Sequence, residues 1–129
     1  MGESHSWTLT GYEIVLTSDA FKAGNGTLSM KNVEEYHTEN FGFKTYIVIN
    51  GEDTLVHTGY ITGHNINIAE DTTGAIEGGT YVNENGDAIT LDDVTEIYMV
   101  IEWWDRTKGE DVKERIDLYN KEKTSHHDT

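Results

Sequence analysis

The chain has no cysteine, no proline, few basic residues and no long apolar run. Without cysteine there is no disulfide, no thiolate zinc site and no cysteine nucleophile. One packed core has to hold the 129 residues together, and that length suits a single domain, expected over residues 1–120. Basic residues number 9 against 24 acidic ones, a formal net charge of -15. Such a field repels phosphate backbones and anionic lipid headgroups, so nucleic acid is not an expected partner, whereas positive partners, metal cations and neutral ligands such as glycans stay open. No stretch is apolar enough to cross a bilayer as a helix, and the first residues lack the zones of a secretory signal. The polar opening Met1-Gly2-Glu3-Ser4, followed at once by a strand pattern, fits a chain whose export signal has been removed.

Recognisable catalytic and metal-binding patterns are also missing. There is no Gly-x-Ser-x-Gly elbow, no phosphate-binding glycine loop and no His-Glu-x-x-His pair. Asn83-Glu84-Asn85-Gly86-Asp87 resembles the start of a calcium loop, but its glycine is fourth rather than sixth, and Val94 stands where an EF-hand needs a bidentate glutamate. Catalytic residues, a metal and a cofactor are therefore not expected.

What the chain does have is strands. In Ser6 to Ser18, Trp7 and Leu9 alternate on one parity and Tyr12, Ile14 and Leu16 on the other, which predicts a β-bulge at Gly11. Asp19 to Gly24 reads as a connection with one helical turn closed by glycine, and Thr27 to Lys31 as a short strand. Asn32 to Phe41 predicts the one helix: Asn32 caps it, Glu35 completes a capping box, and Val33, Tyr36, His37 and Phe41 share a side.

Asn50-Gly51 marks a type I′ hairpin between Phe43–Ile49 and Glu52–Ile61. That turn pairs Ile49 with Glu52, Ile47 with Thr54, Tyr46 with Leu55 and Lys44 with His57. Gly63-His64 is expected to turn the chain into a separate strand at 65–69. Ala75–Val82 and Ala88–Leu91 flank a second Asn-Gly at 85 and 86.

The longest alternation is Val94 to Asn120, two strands around a turn at Arg106–Gly109. Its core face pairs Trp103 with Val112, Ile101 with Glu114, Met99 with Ile116 and Ile97 with Leu118. The opposite face pairs Trp104 with Asp111, Glu102 with Lys113, Val100 with Arg115 and Tyr98 with Asp117, a charge-matched pattern suited to a sheet surface. Residues 121–129 carry no apolar side chain and are expected to form a flexible polar tail.

Many short strands without long helices predict an all-β fold. An antiparallel β-sandwich of immunoglobulin-like type is the first expectation, and a lipocalin-like up-and-down barrel the alternative. Binding is expected on the polar face of the last hairpin, at Tyr98, Glu102, Trp104, Lys113 and Arg115, where aromatics stand among charges. Glu114 is the anomaly of the core face, left wet at the sheet's end or held by a partner group. The expected function is a non-catalytic interaction or adhesion module, extracellular or at the cell surface, of the kind found as the ectodomain of an exported bacterial lipoprotein, with a protein or carbohydrate partner. The alternative is a small-ligand carrier, whose cavity would be lined by Trp7, Tyr12, Phe43 or Trp103.

Overall fold

A computed structural model describes residues 2–121, so the expected tail lies outside the described residues beyond Lys121. The described residues are nearly all β, with eleven strands in three antiparallel sheets. The largest sheet is built from two hairpins. β6 (His37–Ile49) and β7 (Glu52–Asn67) join at Asn50 and Gly51, both at positive φ (50° and 85°), as a type I′ turn requires. β10 (Val94–Asp105) and β11 (Glu110–Asn120) form the second hairpin, and β10 also pairs with β6, giving the order β11-β10-β6-β7.

The turn sets the β6–β7 register as expected from Ile49↔Glu52 to Tyr46↔Leu55. Beyond that, Val56 is an extra residue, so Thr45 rather than Lys44 faces His57, and Lys44 faces Thr58. This bulge turns His57 inward, where it is 4% exposed. In the last hairpin the expected pairs hold from Tyr98↔Asp117 to Trp104↔Asp111, and a shift at Ile97 sets it against Tyr119 instead of Leu118.

The other two sheets are successive halves of three bent strands. β2 (Trp7–Thr10) runs into β3 (Glu13–Leu16), β4 (Phe21–Gly24) into β5 (Thr27–Met30), and β8 (Glu70–Thr72) into β9 (Ala75–Gly78). Because the middle strand runs antiparallel to the other two, the halves on one side of the bend pair as β2-β5-β8, with the short β1 (Gly2–Glu3) beside β2, and those on the other side as β3-β4-β9. Gly11 therefore passes the chain from one sheet to another and does not bulge a single strand. The corner runs through Gly11, Gly24, Asn25 and Gly74, all at positive φ. It is stitched by Asn25 N–H to the Gly74 carbonyl (2.9 Å), Thr73 N–H to the Gly26 carbonyl (3.0 Å) and Gly26 N–H to Thr73 Oγ1 (3.0 Å).

The predicted helix at Asn32–Phe41 does not form. Asn32 has φ 64°, which reverses the chain, and from His37 onward the segment is the first part of β6. A helix this short gains little by itself, whereas extending β6 buries Phe41 against the Trp7 ring (centroids 5.2 Å apart). The extension also explains why Gly63-His64 does not end a strand. β7 continues to Asn67, with Thr38↔Ile66 beyond Asn40↔Thr62, and absorbs the surplus residues as an irregularity. Phe21–Gly24, read as a connection, is β4. The second Asn-Gly hairpin reduces to one bridge, Val82↔Ala88, because Gly78 and Gly79 offer no side chain to pack and Ala75–Gly78 pairs with β4 instead.

All three sheets contribute to one core. Trp7 of β2 meets Trp103 of β10 edge-on (5.6 Å, 73°), and Leu9, Phe21, Leu28, Ile47, Met99, Ile101 and Ile116 are buried around them.

Candidate functional site

The outward face of the β11-β10-β6-β7 sheet can be laid out from its register alone. Across β11, β10, β6 and β7 the rows are Asp117–Tyr98–Tyr46–Leu55, then Arg115–Val100–Lys44–Thr58, then Lys113–Glu102–Gly42–Tyr60. These rows floor a groove of about 620 Å³, lined among others by Lys44, Tyr46, Asp53, Tyr60, Tyr98, Glu102 and Lys113.

At one end of the groove Tyr46 and Tyr98 stack (centroids 5.1 Å, 21°), and the Arg115 guanidinium lies 3.8 Å over the Tyr98 ring. Arg115 is fixed in turn by Asp117 (2.7 Å) and Glu96 (3.0 Å). The Tyr98 hydroxyl donates to Asp53 Oδ2, and this bond, with burial, pushes the phenol up to about 12. Tyr98 is covered by these neighbours to 8% exposure, so it supports the floor more than it projects from it.

Tyr60 stands at the other end, 68% exposed. It lies over Gly42, where an added Cβ would come within 2.8 Å of the Tyr60 ring. On the inward side of the same strand pair the arrangement is mirrored, since a Cβ on Gly59 would meet the Phe43 ring at 2.4 Å. Each glycine lets the opposite aromatic lie flat against the sheet, one ring for the core and one for solvent. Between the aromatic ends, Lys44, Lys113 and Glu102 make no ion pair or side-chain hydrogen bond among the described residues.

Of the residues predicted from sequence, Tyr98, Glu102 and Lys113 line this groove and Arg115 braces it. Trp104 shares the face but is not in the groove; its carbonyl accepts from Thr38 Oγ1 at 2.5 Å. Glu114 is on the other side. Its Oε1 accepts from Ser4 Oγ (2.5 Å) and Ser6 N–H (2.8 Å), and its Oε2 from Ser6 Oγ (2.7 Å). Partial burial works to raise this carboxyl, but the serine bonds prevail and hold it below the usual range. Glu114 thus ties β11 to the chain between β1 and β2.

Lys44, Tyr46, Asp53, Gly42 and Tyr60 were not anticipated as site residues. The Asn-Gly turn placed Tyr46 opposite Leu55, but no local signal places β6 beside β10, and that pairing creates the groove.

Two interior polar groups also lay outside the sequence expectations. The Tyr12 hydroxyl sits 2.7 Å from His57 Nδ1 and 2.9 Å from Thr45 Oγ1, all three buried. Burial lowers the histidine, opposed by a bond to the Thr73 backbone, and burial pushes Tyr12 up to about 12. A neutral His57 whose Nδ1 accepts from Tyr12 satisfies the cluster and pins the corner of the bent layer onto β7. Asp71 pairs with buried Leu28 on an inward-facing position. Its Oδ2 is buried without a hydrogen-bond partner among the described residues, and burial, with repulsion from Glu70, raises the carboxyl to about 7.

Among the described residues no three histidine, aspartate or glutamate side chains converge as a metal-binding group. Comparison with family models, curated proteins and solved structures gives no match to this chain.

Proposed function

We propose that the protein is a non-catalytic recognition module, working outside the cell or on its surface, and that the outward face of the β11-β10-β6-β7 sheet is its binding surface. The observation that carries this reading is the groove: three polar side chains without partners among the described residues, set between a tyrosine pair and an exposed tyrosine. Single exposed apolar residues are ordinary on protein surfaces, but a concavity with convergent unpaired polar groups is the usual form of a binding site.

Carriage of a ligand inside the fold has less support, because Trp7, Tyr12, Phe43 and Trp103, the expected cavity lining, are buried in the packed core. Within the all-β class we read the layers as a β-sandwich, supported by the joint burial of Trp7, Leu9 and Leu28 from one side and Phe41, Met99 and Ile101 from the other. The immunoglobulin-like type rests on the terminal hairpin.

Retention of the protein on immobilised bacterial cells and on extracellular-matrix coatings tests the reading. A Lys44→Ser, Tyr60→Ser, Lys113→Ser variant is expected to lose at least about tenfold in retention. A Val15→Ser, Lys22→Ser, Glu77→Ser variant, altered on the bent layer, is expected to match the parent. Equal behaviour of the two variants, or no retention of the parent on either surface, overturns the proposal.

A further inference from the structure

Resting on the reading of this face as a recognition surface, we infer that its ligand is a neutral oligosaccharide, held along the groove from the Tyr46–Tyr98 pair to Tyr60. The molecule carries -15, yet the charged side chains lining the groove are Lys44 and Lys113 against Asp53 and Glu102, two of each sign. The groove is a locally neutral strip in an anionic surface. A polyanion would meet the long-range field of the whole protein, and a polycation would meet two lysines at the point of contact.

Lys44 and Lys113 only donate, Glu102 only accepts, and none is engaged by another described side chain. The Glu102–Lys113 pair is set directly across β10 and β11, yet the two side chains make no ion pair within 4.0 Å. Donors and acceptors of both kinds therefore stand side by side with spare capacity. A sugar hydroxyl both donates and accepts, so neighbouring hydroxyls satisfy an ammonium and a carboxylate at once without bringing a net charge.

A pyranose ring has apolar C–H faces and a polar edge, which calls for flat aromatic rings flanked by hydrogen-bonding groups. Tyr60 is held flat over Gly42, and the Tyr46–Tyr98 stack lies two rows away along the strands, about 14 Å at the rise of a β-strand. That separation, and the volume of the groove, suit a chain of a few sugar rings better than a single ring or a flat protein surface.

The test is titration of isotope-labelled protein with neutral di- to tetrasaccharides of hexose and N-acetylhexosamine type, with a uronate oligosaccharide in parallel, followed by backbone amide shifts. At least one neutral saccharide is expected to bind with a Kd below about 1 mM and to move amides of β6, β7 and β10. Tyr60→Ala and Lys113→Met are each expected to weaken it at least fivefold. Tyr60 is largely exposed, so its removal leaves the core intact, and Lys113→Met keeps the side-chain length. No shift with any neutral saccharide at about 10 mM, shifts outside the groove, or binding of the uronate alone overturns the inference. The two levels separate cleanly. If retention on surfaces still depends on Lys44, Tyr60 and Lys113 after periodate oxidation of the surface, the recognition face stands and the carbohydrate class falls. If the face variant never changes retention, the reading beneath it falls too.

Discussion

At the scale of single residues, two inward-facing groups, Asp71 and His57, have opposite pH behaviour. Asp71 is raised from 3.8 to about 7, so between these values the folded state holds a proton that the unfolded chain has released. Its contribution to stability is fully present below 3.8 and is lost as pH rises through about 7. His57 is lowered from 6.5, so its contribution is present above 6.5 and is lost as pH falls through the folded value. The two windows overlap below 6.5, where their slopes oppose, and Asp71 is one of 24 acidic residues, so the parent's pH profile alone is not diagnostic. The difference between parent and variant is. Asp71→Asn removes the ionisation and keeps the shape, so the stability of the variant relative to the parent is expected to rise with pH from about 4 to about 7 and then level off. Urea midpoints across that range measure it, and a constant difference would show that Asp71 titrates as a surface carboxyl. Glu114 illustrates how limited the sequence view of one residue is. Its inward parity was legible, because alternation in Val112, Glu114 and Ile116 is local. Its partners were not, because Ser4 and Ser6 lie 110 and 108 residues away.

At the scale of elements, the corner of the bent layer is the most demanding feature. Gly24 has φ 139°, and an added Cβ would lie 2.4 Å from both Ala75 Cα and the Gly74 carbonyl oxygen, backbone atoms of a paired strand. Gly86 also has positive φ, at 85°, but nothing lies within 4 Å of its added Cβ. Gly86→Ala is therefore expected to cost about 1 kcal/mol for the backbone conformation alone. Gly24→Ala adds an overlap that only movement of β4 against β9 relieves, and is expected to cost roughly 3 kcal/mol or more. Equal urea midpoints for the two variants would mean that the corner yields easily. Elements were legible where the signal was local: the Asn50-Gly51 turn gave its hairpin and register, and the period-2 pattern gave both faces of β10 and β11. The Asn32–Phe41 pattern misled because a helical spacing of apolar residues also arises by chance in a strand joined to a turn. The burial of Phe41 against Trp7, a tertiary contact, decided between them. The Val56 bulge was invisible for a similar reason, since it exists to bring His57 to Tyr12.

At the scale of the whole molecule, the acid excess and the groove act in opposite senses. The fold class was legible because strand patterns fill the chain, but the groove was legible only in half: β10 and β11 supplied Tyr98, Glu102 and Lys113, while the β6 and β7 half depended on a β6–β10 pairing that no turn dictates. The charge of -15 repels itself in the compact state, and the five ion pairs among the described residues sit on partly exposed side chains, each worth little. Raising ionic strength from about 0.01 M to about 0.15 M shortens the screening length from about 30 Å to about 8 Å, which removes long-range repulsion while sparing most of the contact-range attraction. The thermal midpoint is therefore expected to rise by a few degrees over that interval. A neutral saccharide in the groove exchanges no counterions, so its Kd is expected to stay within about twofold over the same interval, whereas a charged ligand facing this protein would change affinity severalfold. Scanning calorimetry and saccharide titration on the same salt series read both quantities. A midpoint that falls with salt would place local ion pairs above the global field in stabilising the fold. A salt-dependent Kd would assign the groove to a charged ligand, because only such a ligand couples to the field that the same salt screens.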